Sequence, residues 1–389
     1  MLEILFFICL FGIVHTYILY PLTMLILGKV YRKKAIHPKN SSTDYPTVEV
    51  IFAAYNEEDV IEQKIRSTFN TSYPASNVTV RIGSDASTDK TDSLVEKLQQ
   101  TYPNLHFKRF NTRTGKAGIV NKLVQESQAD NIILTDANIL FERETIAQLV
   151  SGLHDLQTGI VGDRIVYKEV KGTGISKQEN VYLGIENAIK QSESDVFGAT
   201  MGVEGGCYII RRHLFPQIPP LFFMEDFYIT MAVMRQNYKV KFLATAQCHE
   251  DVSVLSTEEY KRKVRISIGN FQNLAAYRSI LFTHFFPAGF IFLSHKVLRW
   301  FTPFFLLALI PLSVMLAPTG LFYELFAVFY AVFLGLGLMG ILFSQSKKAG
   351  FLKYPGHFVH MNLALLEGFT LYLKGVKSNA WQPTRRNQE

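Results

Sequence analysis

The chain has 389 residues, 48% of them hydrophobic and 13% aromatic, which is room for two ordinary domains, but the apolar excess gathers at the two ends. Its formal net charge of +7 and pI near 9.1 come largely from basic residues flanking those apolar segments, a pattern that fits anionic lipid headgroups and argues against nucleic acid. Cys9, Cys207 and Cys248 lack the paired spacing of a zinc or redox motif and suit a reducing compartment.

Residues 1–28 are predicted to form a membrane anchor. The stretch 2–27 is nearly free of charge, with Glu3 near its start, and it has neither a basic leader nor a small-residue cleavage site, so it reads as retained. Its length suits one crossing, which takes about 20 apolar residues. Lys29, Arg32, Lys33, Lys34 and Lys39 follow at once, and the positive-inside rule then puts the next domain in the cytoplasm, against the cell (inner) membrane. Residues 29–47 form a basic and polar linker holding Pro38 and Pro46.

Residues 48–279 alternate between two periods. Short apolar runs at 48–53, 78–82, 105–110, 131–135 and 160–167 read as strands, and helical patterns fill 55–69, the stretch up to Leu98, the segment after Gly118, 139–156 and 179–191. This alternation predicts an α/β domain with a mainly parallel, Rossmann-like sheet covered on both faces. Asp85 and Asp136 each follow a predicted strand directly, which is where open α/β sheets bind ligands. Glu225 and Asp226 stand at the head of a further predicted helix, 227–235. Residues 280–300 mix aromatic and apolar residues with His284, His295, Lys296 and Arg299 and read as an interfacial amphipathic helix. Within 301–373, the segments 301–316 and 321–343 are predicted spans, whereas 358–373 carries His360, Asn362 and Glu367 and stays open between a span and an interfacial helix. The side of the basic tail, 374–389, depends on that choice.

Taken in order, Ala54-Tyr55-Asn56-Glu57, the stretch from Ser84 to Asp89, Gly115 with Lys116, Asp136 with Asn138, Glu225 with Asp226, and Arg262 with Arg265 resemble the signatures of membrane-bound family 2 glycosyltransferases. Cellulose, hyaluronan, chitin and poly-N-acetylglucosamine synthases form this group, and Trp381, Pro383 and Arg385 extend the likeness into the tail. The resemblance implies a GT-A nucleotide-sugar domain, a UDP-sugar donor and inverting transfer of a hexose or N-acetylhexosamine to a growing exopolysaccharide or a lipid-linked saccharide. It also implies roles: Ala54 to Glu57 against the nucleotide, Asp85 accepting from a uracil N–H, Lys116 on phosphate, and Gly205, Gly206 and Cys207 lining the acceptor subsite.

The chemistry of such a donor sets further demands. A diphosphate is held by hard oxygen ligands and Mg2+ or Mn2+; Asp136 is the candidate ligand, and Asn138, where the family pattern has a second acid, offers a carbonyl without charge. A base must take the acceptor hydroxyl proton, and Asp226 beside Glu225 has the like-charge neighbour that raises a carboxyl pKa into a useful range. Arg262 and Arg265 offer fixed positive charge to the departing diphosphate. Here Arg262 stands where the family has Gln and Ile266 where it has Trp, so the aromatic ring on which a sugar face stacks is missing, which weighs toward single transfer onto a lipid carrier such as polyprenyl phosphate or diacylglycerol. A polymer product would call for a partner subunit or homo-oligomer, since so few spans make a poor channel. Each residue also has an ordinary reading: Asn56, Asp85, Ser87 or Asp89 as helix caps and turns, the Glu225–Asp226 pair as a favourable first helical turn, Lys116 as a solvated lysine, His249 as packed rather than ligating. A membrane scaffold with a degenerate nucleotide-sugar domain is the reading without catalysis.

Overall fold

The computed structural model describes residues 1–32, 45–168, 174–251, 256–343 and 351–376. Most of the basic linker, including Pro38, and the tail signature at Trp381, Pro383 and Arg385 lie outside the described residues. The chain divides into two compact units. One comprises the described residues of 24–254 and 282–288, the other those of 1–23, 255–281 and 289–376. The helices are α1 (Leu2–Val14), α2 (Tyr20–Arg32), α3 (Ile61–Phe69), α4 (Thr91–Gln99), α5 (Lys116–Glu126), α6 (Thr145–Gly152), α7 (Gly174–Phe197), α8 (Glu225–Arg235), α9 (Ser256–Tyr277), α10 (Ile280–Thr283), α11 (Leu298–Leu316), α12 (Leu321–Leu342) and α13 (Lys353–Lys374).

The first unit is built on an eight-stranded sheet of β1 (Val48–Ala54), β2 (Val78–Ser84), β3 (Leu105–Arg109), β4 (Asn131–Thr135), β5 (Leu140–Phe141), β6 (Thr158–Lys168), β7 (Cys207–Arg211) and β8 (Lys239–Asp251), in the order β3-β2-β1-β4-β7-β6-β8-β5. The pairs among β3, β2, β1 and β4 are all parallel. Every residue of β1 is buried, as expected of a central strand covered on both faces. Its one charge, Glu49, is held by the Arg81 guanidinium at 2.8 Å. The chain leaves β1 for β2 and β3 on one side and returns as β4 on the other, so the strand ends of β1 and β4 flank a topological switch point. β7 then enters antiparallel between β4 and β6, with Cys207 opposite Thr135, a departure from a purely parallel sheet. The expected helix over 139–156 is instead the short strand β5, paired with β8 through Leu140 and His249, followed by α6. Buried apolar residues at 139–141 read equally as helix or strand until a partner strand is present.

The second unit is helical. Phe6 of α1 is wholly buried among Leu309, Leu312, Leu316 and Tyr330, with its ring edge-on to Phe326 at 4.8 Å. Among the described residues, three helices are long and apolar enough to cross a membrane, Leu2–Tyr31, Phe285–Thr319 and Leu321–Leu342. The expected interfacial helix at 280–300 is therefore not a separate element, since its later part continues into the second of these segments. α13 is outside that set, and its Glu367 accepts a 2.7 Å hydrogen bond from Tyr260 of α9.

α12 and α13 cross where neither has a side chain. A Cβ on Gly340 would lie 2.2 Å from the Leu352 carbonyl oxygen and 2.8 Å from Gly356 Cα, backbone atoms that cannot turn aside. Small residues at such crossings let apolar helices approach closely. Gly340→Val is expected to cost at least the ~1–3 kcal/mol typical of overpacking, read as a lowered thermal midpoint in detergent; an unchanged midpoint would show that the crossing carries no load.

Candidate active site at the strand ends

Two loops close the β1 and β2 ends. Asp85 donates its backbone N–H to the Ala54 carbonyl at 2.8 Å, which continues the β1–β2 register into the loops. Asn56 accepts from Thr88 N at 2.9 Å, and Glu57 N donates to Thr91 Oγ1 at 2.8 Å, so the 55–58 loop is fastened to the 84–91 loop and not simply to its own helix. Asp89, two residues ahead of α4, accepts from Thr91 N at 3.0 Å and also takes Glu58 N at 3.1 Å. Asn56, Ala86 and Met224 all have positive φ, at 52°, 58° and 56°, the first two in these loops and the third just ahead of α8. Such backbone outliers in non-glycine residues gather where surrounding contacts over-determine a shape.

Asp85 is wholly buried. Its carboxylate accepts from the Thr114 and Gly115 backbone and from Arg113 Nε at 3.0 Å, so its oxygens are already engaged by the chain. The Arg113 guanidinium lies 3.4 Å from the centre of the Tyr55 ring. A flat cation stacked on an aromatic ring beside a carboxylate is a surface suited to a nucleobase. Sequence reading missed Arg113, because nothing near it in the chain marks it; its partners Asp85 and Tyr55 come from other loops.

The centre of the site is a cluster of charge. Gly115, with φ of 78°, turns the chain into α5 and places Lys116 at its first residue. Lys116 Nζ lies 2.6 Å from Asp136 Oδ1 at the end of β4 and 2.6 Å from Glu225 Oε1 at the head of α8. Burial works to lower this ammonium's pKa, but the two carboxylates outweigh it and raise it above its ordinary value. Asp226 follows Glu225, nine-tenths buried. Burial first, and then the Glu225 charge, push its carboxyl up to about 7, against the opposing pull of Lys116. A small pocket lined by Lys116, Thr135, Gly205, Tyr208, Glu225 and Asp226 opens here.

The acidic centre fits a divalent cation, since an ammonium already bridges Asp136 and Glu225. Asn138 Nδ2 donates to Glu250 Oε1 at 3.0 Å, so β8 brings a carboxylate beside the position where the sequence shows only an amide. Glu250 was not singled out from sequence. His249 points its ring to Glu142 at 2.8 Å, an ion-pair geometry that leaves it with a partner of its own. Gly206 accepts from both Asp136 N and Thr135 Oγ1, which locks the β7 entry to the β4 exit. A Cβ on Gly205 would stand 3.2 Å from Asp226 Oδ2, so this glycine borders the acid directly. Cys207 does not fit the subsite expected of it, because its side chain is fully buried in the core. It lies there with Asp163 and Cys248, their ligand atoms within 4.8 Å of one another. Burial, with the Cys248 thiol next in effect, holds the Asp163 carboxyl well above the carboxylate range, so these three groups are accommodated as neutral species. Arg262 and Arg265 are exposed on α9, in the helical unit.

The sheet and the helices that cover it have the GT-A fold. The family model "Glycosyl transferase family 2" matches residues 49–218 and the model "Glycosyl transferase family group 2" matches residues 151–343. The two matches together run from residue 49 to residue 343, so glycosyltransferase family 2 sequence fills that part of the chain. It is 23% identical over 239 residues to the probable glycosyltransferase YdaM of Bacillus subtilis strain 168, covering 60% of this chain and 57% of the relative. It is 31% identical over 112 residues to the beta-monoglucosyldiacylglycerol synthase of a Synechocystis species, covering 28% of this chain and 23% of the relative. The chain thus spans less than two thirds of the length of either relative. Among solved structures, the mannosyltransferase PcManGT of Pyrobaculum calidifontis superposes with a TM-score of 0.70 at 22% identity, covering 96% of this chain and 99% of that one.

The raised Asp226 pKa makes a stability statement. Relative to an unfolded carboxyl at about 3.9, the folded chain is favoured while Asp226 is protonated, and that advantage is lost as pH rises through about 7. Asp226→Asn is therefore expected to raise the thermal midpoint by several degrees at about pH 8 and to have little effect at about pH 4. A midpoint that falls at both would mean the carboxylate is stabilising and the reasoning is wrong.

Proposed function

We propose that the chain transfers a hexose or N-acetylhexosamine, with inversion, from a UDP-sugar to a lipid acceptor at a membrane surface. The observation that carries this reading is the coupled cluster of Lys116, Asp136, Glu225 and Asp226 at the β4 and α8 ends. Asp226, with a pKa of about 7, suits removal of a proton from the acceptor hydroxyl as its oxygen attacks the anomeric carbon. Glu225 keeps that pKa high and pairs with Lys116. Tyr55 and Arg113 offer a stacking surface to the base. Asp136, with Asn138 and Glu250 beside it, would hold Mg2+ or Mn2+, which when bound neutralises diphosphate charge and assists leaving-group departure. With Asp136 holding the cation, Lys116 would keep Glu225 as a partner and could meet phosphate.

The lipid acceptor is supported by the missing aromatic at Ile266 and by the name of the Synechocystis relative, a synthase of a glucosyl diacylglycerol. The mannosyltransferase from Pyrobaculum was solved with GDP-Man and Mn2+, which supports a nucleotide-sugar donor and a divalent ion here and makes GDP-mannose a necessary comparison. Processive synthesis of a polysaccharide is the competing outcome, and the same experiment separates the two.

Enzyme in nanodiscs containing diacylglycerol or polyprenyl phosphate is expected to release nucleotide from a UDP-hexose or UDP-N-acetylhexosamine with Mn2+ or Mg2+, giving a product one sugar larger. Long products would replace the lipid reading by a polymerase, and failure to bind any nucleotide sugar would remove the proposal. Asp226→Asn should lose about 10²–10⁴-fold in turnover, the usual worth of a general base. In Lys116→Met, the acid limb of the kcat profile should move to higher pH, because Lys116 opposes the upward shift of Asp226; an acid limb at lower pH would assign the limb to another group.

A further inference from the structure

Lys64 is a wholly buried lysine on α3, facing the sheet and distant in sequence from every residue of the charged cluster. Its ammonium donates to Thr135 Oγ1 at 2.9 Å and to the Ile139 carbonyl at 2.6 Å, and it rests 3.8 Å from the centre of the Phe141 ring. One side chain therefore grips both ends of the segment 135–139, which holds Asp136 and Asn138. The grip continues to the next strand, since Thr135 Oγ1 also donates to the Gly206 carbonyl at 2.7 Å, beside Gly205 and Asp226.

Burying an ammonium is costly unless its donors are satisfied. An apolar side chain would fill this space without that cost, and burial does push Lys64 down to about 8. The two oxygen acceptors and the ring face offset the cost only while the 135–139 segment keeps its observed turn, in which Ile139 N also donates to the Asp136 carbonyl at 3.2 Å. The energy that holds Lys64 inside the protein is thus tied to the shape of the loop.

We propose that Lys64 is a positioning residue for the reaction, fixing the turn from Thr135 to Ile139 so that Asp136 and Asn138 present their oxygens to the donor diphosphate and its divalent cation. This rests on the role proposed above for Asp136, and it adds a residue that touches neither substrate nor metal.

The test is Mn2+ binding to the donor-free enzyme, followed by electron paramagnetic resonance, with kinetics in Mn2+ and donor for wild type, Lys64→Met and Thr135→Val. Lys64→Met is expected to weaken Mn2+ binding about 10- to 100-fold, the usual effect of removing a group that orients a ligand. KM for Mn2+ and donor should rise more than kcat falls, and amides at 136–139 should exchange faster with deuterium before any ligand is added. Thr135→Val removes one acceptor without changing buried charge and should move the same readouts in the same direction by less, which keeps the test open if Lys64→Met does not fold. Wild-type Mn2+ affinity and KM in folded Lys64→Met would overturn the proposal, as would a folded Thr135→Val identical to wild type if Lys64→Met fails to fold. Absence of Mn2+ and nucleotide binding in the wild type would instead overturn the function on which it rests.

Discussion

One ammonium shared between two carboxylates holds the candidate site together. Lys116 lies 2.6 Å from both Asp136 and Glu225, and these acids arrive from a strand end and a helix start separated by almost ninety residues. With Asp226 they would repel one another if left alone, and ordinary charge repulsion would open the cleft. The lysine neutralises part of that repulsion and at the same time sets the balance of charge that Asp226 feels. The same side chain thus serves cohesion of the loops and the electrostatics of the acid.

The sheet supplies the geometry for this arrangement. Parallel pairing of β1 with β2 and β4 aligns their ends on one edge, and the antiparallel entry of β7 brings Gly205 and Gly206 to the same edge from the opposite chain direction. Backbone hydrogen bonds from Asp136 and side-chain bonds from Thr135 to Gly206 make the β4 exit and β7 entry one mechanical unit. Displacing one of these loops displaces the other.

Much of this was legible in the sequence. The buried runs at 48–53, 78–82 and 131–135 gave their strands away by composition, and the acids following them were placed at strand ends as expected. The 84–89 stretch is held by the chain itself, Asp89 by Thr91 at the head of α4 and Asp85 by Arg113 and the turn into α5. What sequence did not disclose were groups defined by partners far along the chain. Arg113 matters because Tyr55 and Asp85 fold over it, Glu250 because β8 passes Asn138, and Lys64 because a helix turns an otherwise unremarkable lysine toward a sheet. Cys207 failed as a subsite residue for a related reason: in a strand each residue alternates faces, and the register with Thr135 sends this one into the core. The short strand β5 escaped notice because two residues carry no period.

Gly205 has a consequence of a different kind. It stands beside Asp226 Oδ2, at a distance where a methyl group would be in contact with the oxygen. The basic character of the carboxylate and its reachability are therefore set by different residues, the first by burial beside Glu225 and the second by a hydrogen atom at position 205. A relative could keep all the charged groups, and keep Asp226 near neutrality, yet exclude bulky alcohols from it through one added carbon.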